Sequence, residues 1–100
     1  MDKLSSHQRK FLKGKAHALD PVVMVGKNGI SENLIKITDR ALNDHELIKV
    51  KFVEFKDKKK VLIEEIVERT GSEAVGMIGH IAILFRKNPD EEKRKIDLPF

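Results

Sequence analysis

Gly26-Lys27-Asn28-Gly29 is the stretch whose residue types and spacing most clearly suggest chemistry. Two glycines flank a cation and an amide. The segment stands between a β-branched run, Val22 to Val25, and an amphipathic pattern that opens at Ser31. A glycine has no Cβ to hold a ligand away, so such a loop can lie flat against a sugar–phosphate backbone. A helix start directly after it offers unpaired backbone N–H groups and the positive end of a dipole, a natural phosphate site. Lys27 adds a mobile charge, Asn28 a donor that tolerates left-handed backbone, and Ser31 a hydroxyl at the helix start. The plainer alternative is a tight corner in which Asn28-Gly29 supplies a positive φ. The loop lacks the G-x-x-x-x-G-K-[ST] form of nucleotide hydrolases.

A second G-x-x-G, Gly76 to Gly79, serves as an internal control. Its middle residues are apolar and it leads into a strand, so it offers neither charge nor an N–H crown. Gly76 and Gly79 read as strand and turn glycines. Asn43-Asp44-His45-Glu46 sets a histidine between carboxylates, but adjacent residues at a helix end diverge and no further ligands follow at useful spacing. His45 reads as a dipole partner at a helix C-terminus and an elbow residue. His7, His17 and His80 fall in no triad register. With no cysteine in the chain, thiolate metal sites and disulfides are excluded. The expectation is no catalyst, no metal and no cofactor.

Charge placement adds a second candidate. Residues 1–29 carry six basic side chains against two acidic ones, whereas residues 30–100 carry fourteen of each. The whole formal excess of +4 therefore sits in the first third of the chain. Arg9, Lys10, Lys13 and Lys15 cluster there, a concentration that attracts polyanions. The same helix also suits an acidic protein partner, so an interaction module stays open as the alternative.

These residues need elements to hold them. A length of 100 residues fits one domain with its own core. Ser5 or Ser6 caps a first helix, with Gln8 in capping-box register to Ser5. Leu4, Phe11, Leu12, Ala16 and Leu19 form its apolar stripe, and Pro21 closes it. Val22 to Val25 form a strand buried on both faces. A second helix is capped by Ser31, carries Glu32 in its first turn and has Ile30 and Ile35 in staple positions. Its buried face continues through Leu34, Ile37, Ala41 and Leu42. Leu47 to Phe55 alternate as a strand, with Ile48, Val50 and Phe52 on one face and Lys49 and Lys51 on the other. A third helix is capped by Asp57, turns Leu62, Ile63, Ile66 and Val67 inward and ends at Gly71. Ala74–Gly79 and His80–Arg86 make a hairpin, and a charged tail closes on an apolar coda that could dock on the domain. The order α-β-α-β-α-β-β predicts an α/β domain with a mixed four-stranded sheet covered by helices. Strands separated by helices imply parallel crossovers, and the hairpin adds an antiparallel strand. The opening MDKLSSHQRK lacks the apolar core of a signal peptide, and the longest apolar run is too short to span a bilayer. A cytoplasmic monomer without a membrane partner is expected.

Four segments, LDPVVMVGKNGISENLI, ALNDHELIKVKF, TGSEAVGMIGHIAILFR and the closing RKIDLP, together resemble the CRM domain of stand-alone bacterial YhbY-like proteins. The resemblance implies an RNA-binding domain over residues 1–100, similar in fold to the C-terminal domain of bacterial translation initiation factor three. It implies a glycine loop comparable to that of KH domains, here Gly26, Lys27, Asn28 and Gly29. It also implies association with ribosomal RNA in precursors of the large ribosomal subunit. Arg9, Lys10 and Lys13 are added as a second contact on charge alone. The chain has no Trp or Tyr and five Phe. Phe52 and Phe85 fall in buried strand patterns and Phe11 in the first helix's stripe, while Phe55 and Phe100 are of open facing. No exposed aromatic platform is expected, and binding led by phosphate and shape follows.

Overall fold

The computed structural model describes residues 3–100. Helix α1 (Ser6–Ala16) begins with the reciprocal bonds of a capping box: Ser5 Oγ accepts from the Gln8 amide at 3.1 Å, and Gln8 Oε1 accepts from the Ser5 amide at 3.0 Å. It ends at Ala16, well before Pro21, and leaves Leu19 exposed outside the stripe. A proline bounds where a helix must have stopped; it does not fix where it stops.

Strand β1 (Val23–Val25) runs parallel to β2 (Leu47–Phe52), joined through α2 (Glu32–His45). Helix α3 (Lys59–Thr70) then carries the chain to β3 (Glu73–Ile78), and β4 (Ile81–Phe85) returns antiparallel to it. The sheet order is β1-β2-β4-β3, so β4 lies between the two strands that α3 connects. The antiparallel strand is central, and both β1 and β3 are edges.

Each face of the sheet has its own core. On one side Val25, Ile48, Val50, Phe52, Ala82 and Leu84 pack against Leu34 and Leu42 of α2 and Ile63 and Ile66 of α3. On the other, Leu47, Val75, Ile83 and Phe85 pack against Leu12 and Ala16 of α1 and against Leu4. The expected burial of β1 on both faces is not found: Val23 and Val25 are buried, whereas Met24 is 51% exposed and Val22 lies open before the strand. Helix α1 packs over β2 and β3, leaving this face of β1 uncovered.

Local competition explains three further differences. Ile37 is exposed because Thr38 takes the inward position one turn after Leu34, its hydroxyl donating to the Leu34 carbonyl at 2.7 Å. Strand β2 stops at Phe52 because the Val53 and Glu54 amides both turn to the Val25 carbonyl. Asp57 caps nothing; a 3₁₀ turn over Lys56–Lys58 precedes α3, whose cap position is Lys58. By contrast, Gly71 ends α3 at φ +67, and Gly79 takes φ +59 in the two-residue hairpin turn with His80.

The elbow after α2 is Glu46, fully buried at φ +63, rather than His45. Its carboxylate accepts the amides of Asn88 (2.7 Å), Lys95 (2.6 Å) and Ile96 (3.0 Å). This clamp docks the C-terminal coda: Ile96 and Leu98 pack on the α1-side core, and Gln8 Nε2 donates to the Pro99 carbonyl. Arg86 acts as a second tie, donating to Asp39, Asn43 and the Thr70 carbonyl, which joins the end of β4 to α2 and α3.

Candidate nucleic-acid interface

Three connections meet at the end of the sheet where the parallel strands β1 and β2 finish. They are the Gly26–Ser31 loop, the β2–α3 segment 53–58 and the Gly79-His80 hairpin turn. The Val25 carbonyl accepts from Val53 at 3.0 Å and from Glu54 at 3.1 Å, tying the first two together. The Phe52 amide donates to the His80 carbonyl at 2.8 Å, and Lys59 Nζ donates to the Gly79 carbonyl at 2.7 Å, tying in the third.

The glycine loop is a β-turn closed by the Gly29 amide on the Gly26 carbonyl at 3.0 Å. Gly29 adopts φ +60, which an L residue enters only with strain; Asn28 keeps a negative φ and does not use its left-handed tolerance. Gly26 differs from Gly29. Its φ lies outside the left-handed region, and a Cβ built on it meets nothing within 4 Å. The fold therefore gives no reason for glycine at this position. Ser31 Oγ accepts from the Leu34 amide at 3.1 Å, so the serine is a cap whose hydroxyl proton stays available. The amides of Glu32 and Asn33 lie in the helix's first turn, beyond intrahelical acceptors. The Glu32 carboxylate pairs with Arg69, which offsets its charge at this helix start.

Around the loop stand cations that charge counting along the chain passed over. Lys56 and Lys58 are exposed, interrupted by Glu54 and Asp57, and join the exposed Lys27 that the sequence had already marked. Lys59 Nζ lies 3.2 Å from His80 Nδ1, which fits a neutral ring with its proton on Nε2. The pKa of His80 is lowered from the ordinary histidine value by partial desolvation and then by the charges of Lys59 and Lys56. Phe55 is the other residue that sequence reasoning missed. It is 38% exposed, sits at φ +55, and its ring abuts the loop: a methyl group on Gly29 would lie 3.5 Å from Phe55 Cε2. The run Phe55-Lys56-Asp57-Lys58 carried the signal, an aromatic among lysines after a strand, but its facing was not legible.

Helix α1 belongs to a different layer. Arg9 is partly spent, its guanidinium donating to the Leu4 carbonyl at 3.2 Å. Lys10 and Lys13 are exposed. Lys13 leans along β3, where a Cβ on Gly76 would come within 2.5 Å of its Cε. Gly76 is thus a strand glycine that lets the lysine stem cross. Between α1 and the loop runs one cross-strand row, Met24, Lys51, Ile81 and Ile78, in register over all four strands. Ile78 is 61% exposed. Four strands at ~4.8 Å spacing make this row roughly 14 Å wide. The loop and the helix are therefore separate groups at two sides of an open, partly apolar sheet surface.

A concavity of about 430 Å³ lies at the opposite end of β2, lined by Lys15, Leu19, His45, Leu47 and Ile96 among others. It is remote from the glycine loop, and a phosphodiester strand is held by convergent N–H groups and cations rather than by enclosure. His45 is exposed at the end of α2 while Glu46 turns inward, so the Asn43–Glu46 side chains do not converge. Among the described residues no group of three His, Asp or Glu side chains is placed to hold a metal ion, and no helix is long and apolar enough to cross a membrane.

Comparison with known proteins decides the family. Residues 4–86 match the model of the CRS1 / YhbY (CRM) domain. The chain belongs to the CRM domain family. A protein of Haemophilus influenzae named "RNA-binding protein" is 48% identical over 100 residues, covering 99% of this chain and 98% of its own length. "Probable RNA-binding protein YqeI" of Bacillus subtilis is 36% identical, covering 96% of this chain and 99% of its own. The solution structure of the hypothetical protein SAV1595 from Staphylococcus aureus superposes with a TM-score of 0.79 at 38% identity, covering 97% of this chain and all of that one. The CRM architecture of three helices on a mixed four-stranded sheet is thus shared with a solved relative.

Proposed function

We propose that this CRM domain binds RNA, as the names of its relatives state of them, and that the Gly26–Ser31 loop grips the phosphate backbone. The observation that carries the reading is Gly26. It needs neither glycine's φ range nor its lack of bulk for folding, so the bare position is best explained by a ligand that must approach the main chain. Lys27 supplies charge, the helix start supplies amides, and Asn28 supplies a side-chain donor. Lys10 and Lys13 form a second contact across the sheet, with Arg9 a lesser one. The RNA is ribosomal, within precursors of the large subunit, an assignment that rests on the family resemblance. Sedimentation of extract at low and high salt tests it. Co-migration with large-subunit precursors that is lost at high salt is expected, and residence in the free fraction at low salt refutes it. An acidic protein partner on α1 predicts instead that Lys13→Glu is the damaging change and that nuclease does not release the partner.

A further inference from the structure

We propose that Phe55 is a base-stacking platform that takes the nucleobase next to the phosphate held by the glycine loop. The inference rests on the loop reading above and adds a contact to it. Of the five phenylalanines, Phe52 and Phe85 are fully buried and Phe11 is partly buried, with Lys15 Nζ 5.5 Å from its ring centroid, while Phe100 is fully exposed but follows Pro99, whose carbonyl accepts from Gln8 of α1. Phe55 instead stands 38% exposed, on a backbone with φ +55. Bulky residues rarely adopt that conformation, and the strain is of order 1–2 kcal/mol.

The ring is held in place rather than dangling. The two residues before it are tied to the Val25 carbonyl, and its own carbonyl accepts the Lys58 amide at 3.0 Å. One side of the ring rests by Gly29, at ordinary van der Waals distance from where a Cβ would stand. A phosphate on the loop amides leaves its base within one nucleotide's reach of this ring. Around it Lys27, Lys56, Lys58 and Lys59 outnumber Glu54 and Asp57, which favours an anionic strand over a cationic peptide. Every base has a π-face, so such a platform adds affinity with little sequence preference.

The absence of Trp and Tyr from the chain makes the test direct, because Phe55→Trp introduces a single indole fluorophore. Labelled oligouridine and an abasic oligomer of equal length are each titrated with wild-type, Phe55→Asn and Phe55→Trp protein. Asparagine tolerates the left-handed backbone and removes the ring, so the fold is kept. Phe55→Asn should bind oligouridine about five- to 150-fold more weakly, with its salt dependence unchanged, since stacking releases no counterions. Phe55→Trp should bind at least as well as wild type, its emission quenched by oligouridine and not by the abasic oligomer. If Phe55→Asn binds within twofold of wild type, or both oligomers quench alike, stacking is overturned. Gly26→Asp separates the two claims: when it abolishes binding and Phe55→Asn is silent, the loop reading stands and this one falls. When Gly26→Asp is also silent, both fall.

Discussion

Replacing Gly26 by aspartate separates folding from binding more sharply than any other change in this domain. A side chain there enters open space, and the Gly26 carbonyl keeps its bond from Gly29. Aspartate is also favoured at the first position of a type I turn, so the melting temperature should hold or rise slightly. Binding should fail for electrostatic reasons. A carboxylate about 5 Å from a phosphate repels it by roughly 0.8 kcal/mol in bulk water and about 3 kcal/mol at an effective dielectric of 20. That corresponds to a loss between about fourfold and a few hundredfold in affinity. Pairing of the new carboxylate with Lys27 would also flatten the log–log salt slope by about 0.7, the share of one phosphate on a single strand. Fluorescence anisotropy with a labelled oligoribonucleotide at several salt concentrations, beside a thermal melt, reads both effects. Gly29→Ala is the mirror control. It forces an L residue to φ +60, at a cost of about 1–2 kcal/mol, and should lower the melting temperature by roughly 5–15 °C. Wild-type affinity in a normally melting Gly26→Asp protein would refute the phosphate-grip argument.

Other consequences can be measured independently. Glu46→Gln replaces an acceptor of three amides by a group that presents its own N–H to them, and should cost about 2–4 kcal/mol, measured by urea titration; a loss below half a kcal/mol would contradict the clamp. Because the unfolded state takes up the His80 proton more readily than the folded state, stability should fall as pH drops through the ordinary histidine range and on to the lowered folded value. A phosphate near His80 reverses the preference, so RNA affinity should rise over the same pH decrease, and His80→Gln should flatten the rise; an unaltered pH profile in that variant would remove His80 from the interface. Lys10→Ala and Lys13→Ala should each reduce the salt slope by about 0.7 without moving the melt, if α1 touches RNA.

Residues close in sequence carried the local structure. The Ser5/Gln8 box, the Ser31 cap, the Gly71 stop and the Gly79-His80 turn were legible because their partners lie within four residues, and periodicity marked the apolar positions of α3 and, Ile37 apart, of α2. The order of elements predicted an α/β domain with a four-stranded sheet, and the glycine loop stood out because its residue types are unusual at a strand-to-helix junction. What the sequence left undetermined depends on partners far along the chain. Whether Met24 faces solvent depends on where α1 lands. Where β4 inserts depends on which edge α3 reaches. The sequence dismissed Glu46 as an acid–base residue but gave it no partner; the tail, more than forty residues later, supplies the amides that bury it. Phe55 acquires its meaning from Gly29, and Lys13 from Gly76. Periodicity reports which side chains prefer the interior; the folded chain alone decides which distant surface covers them and which remain open to a ligand.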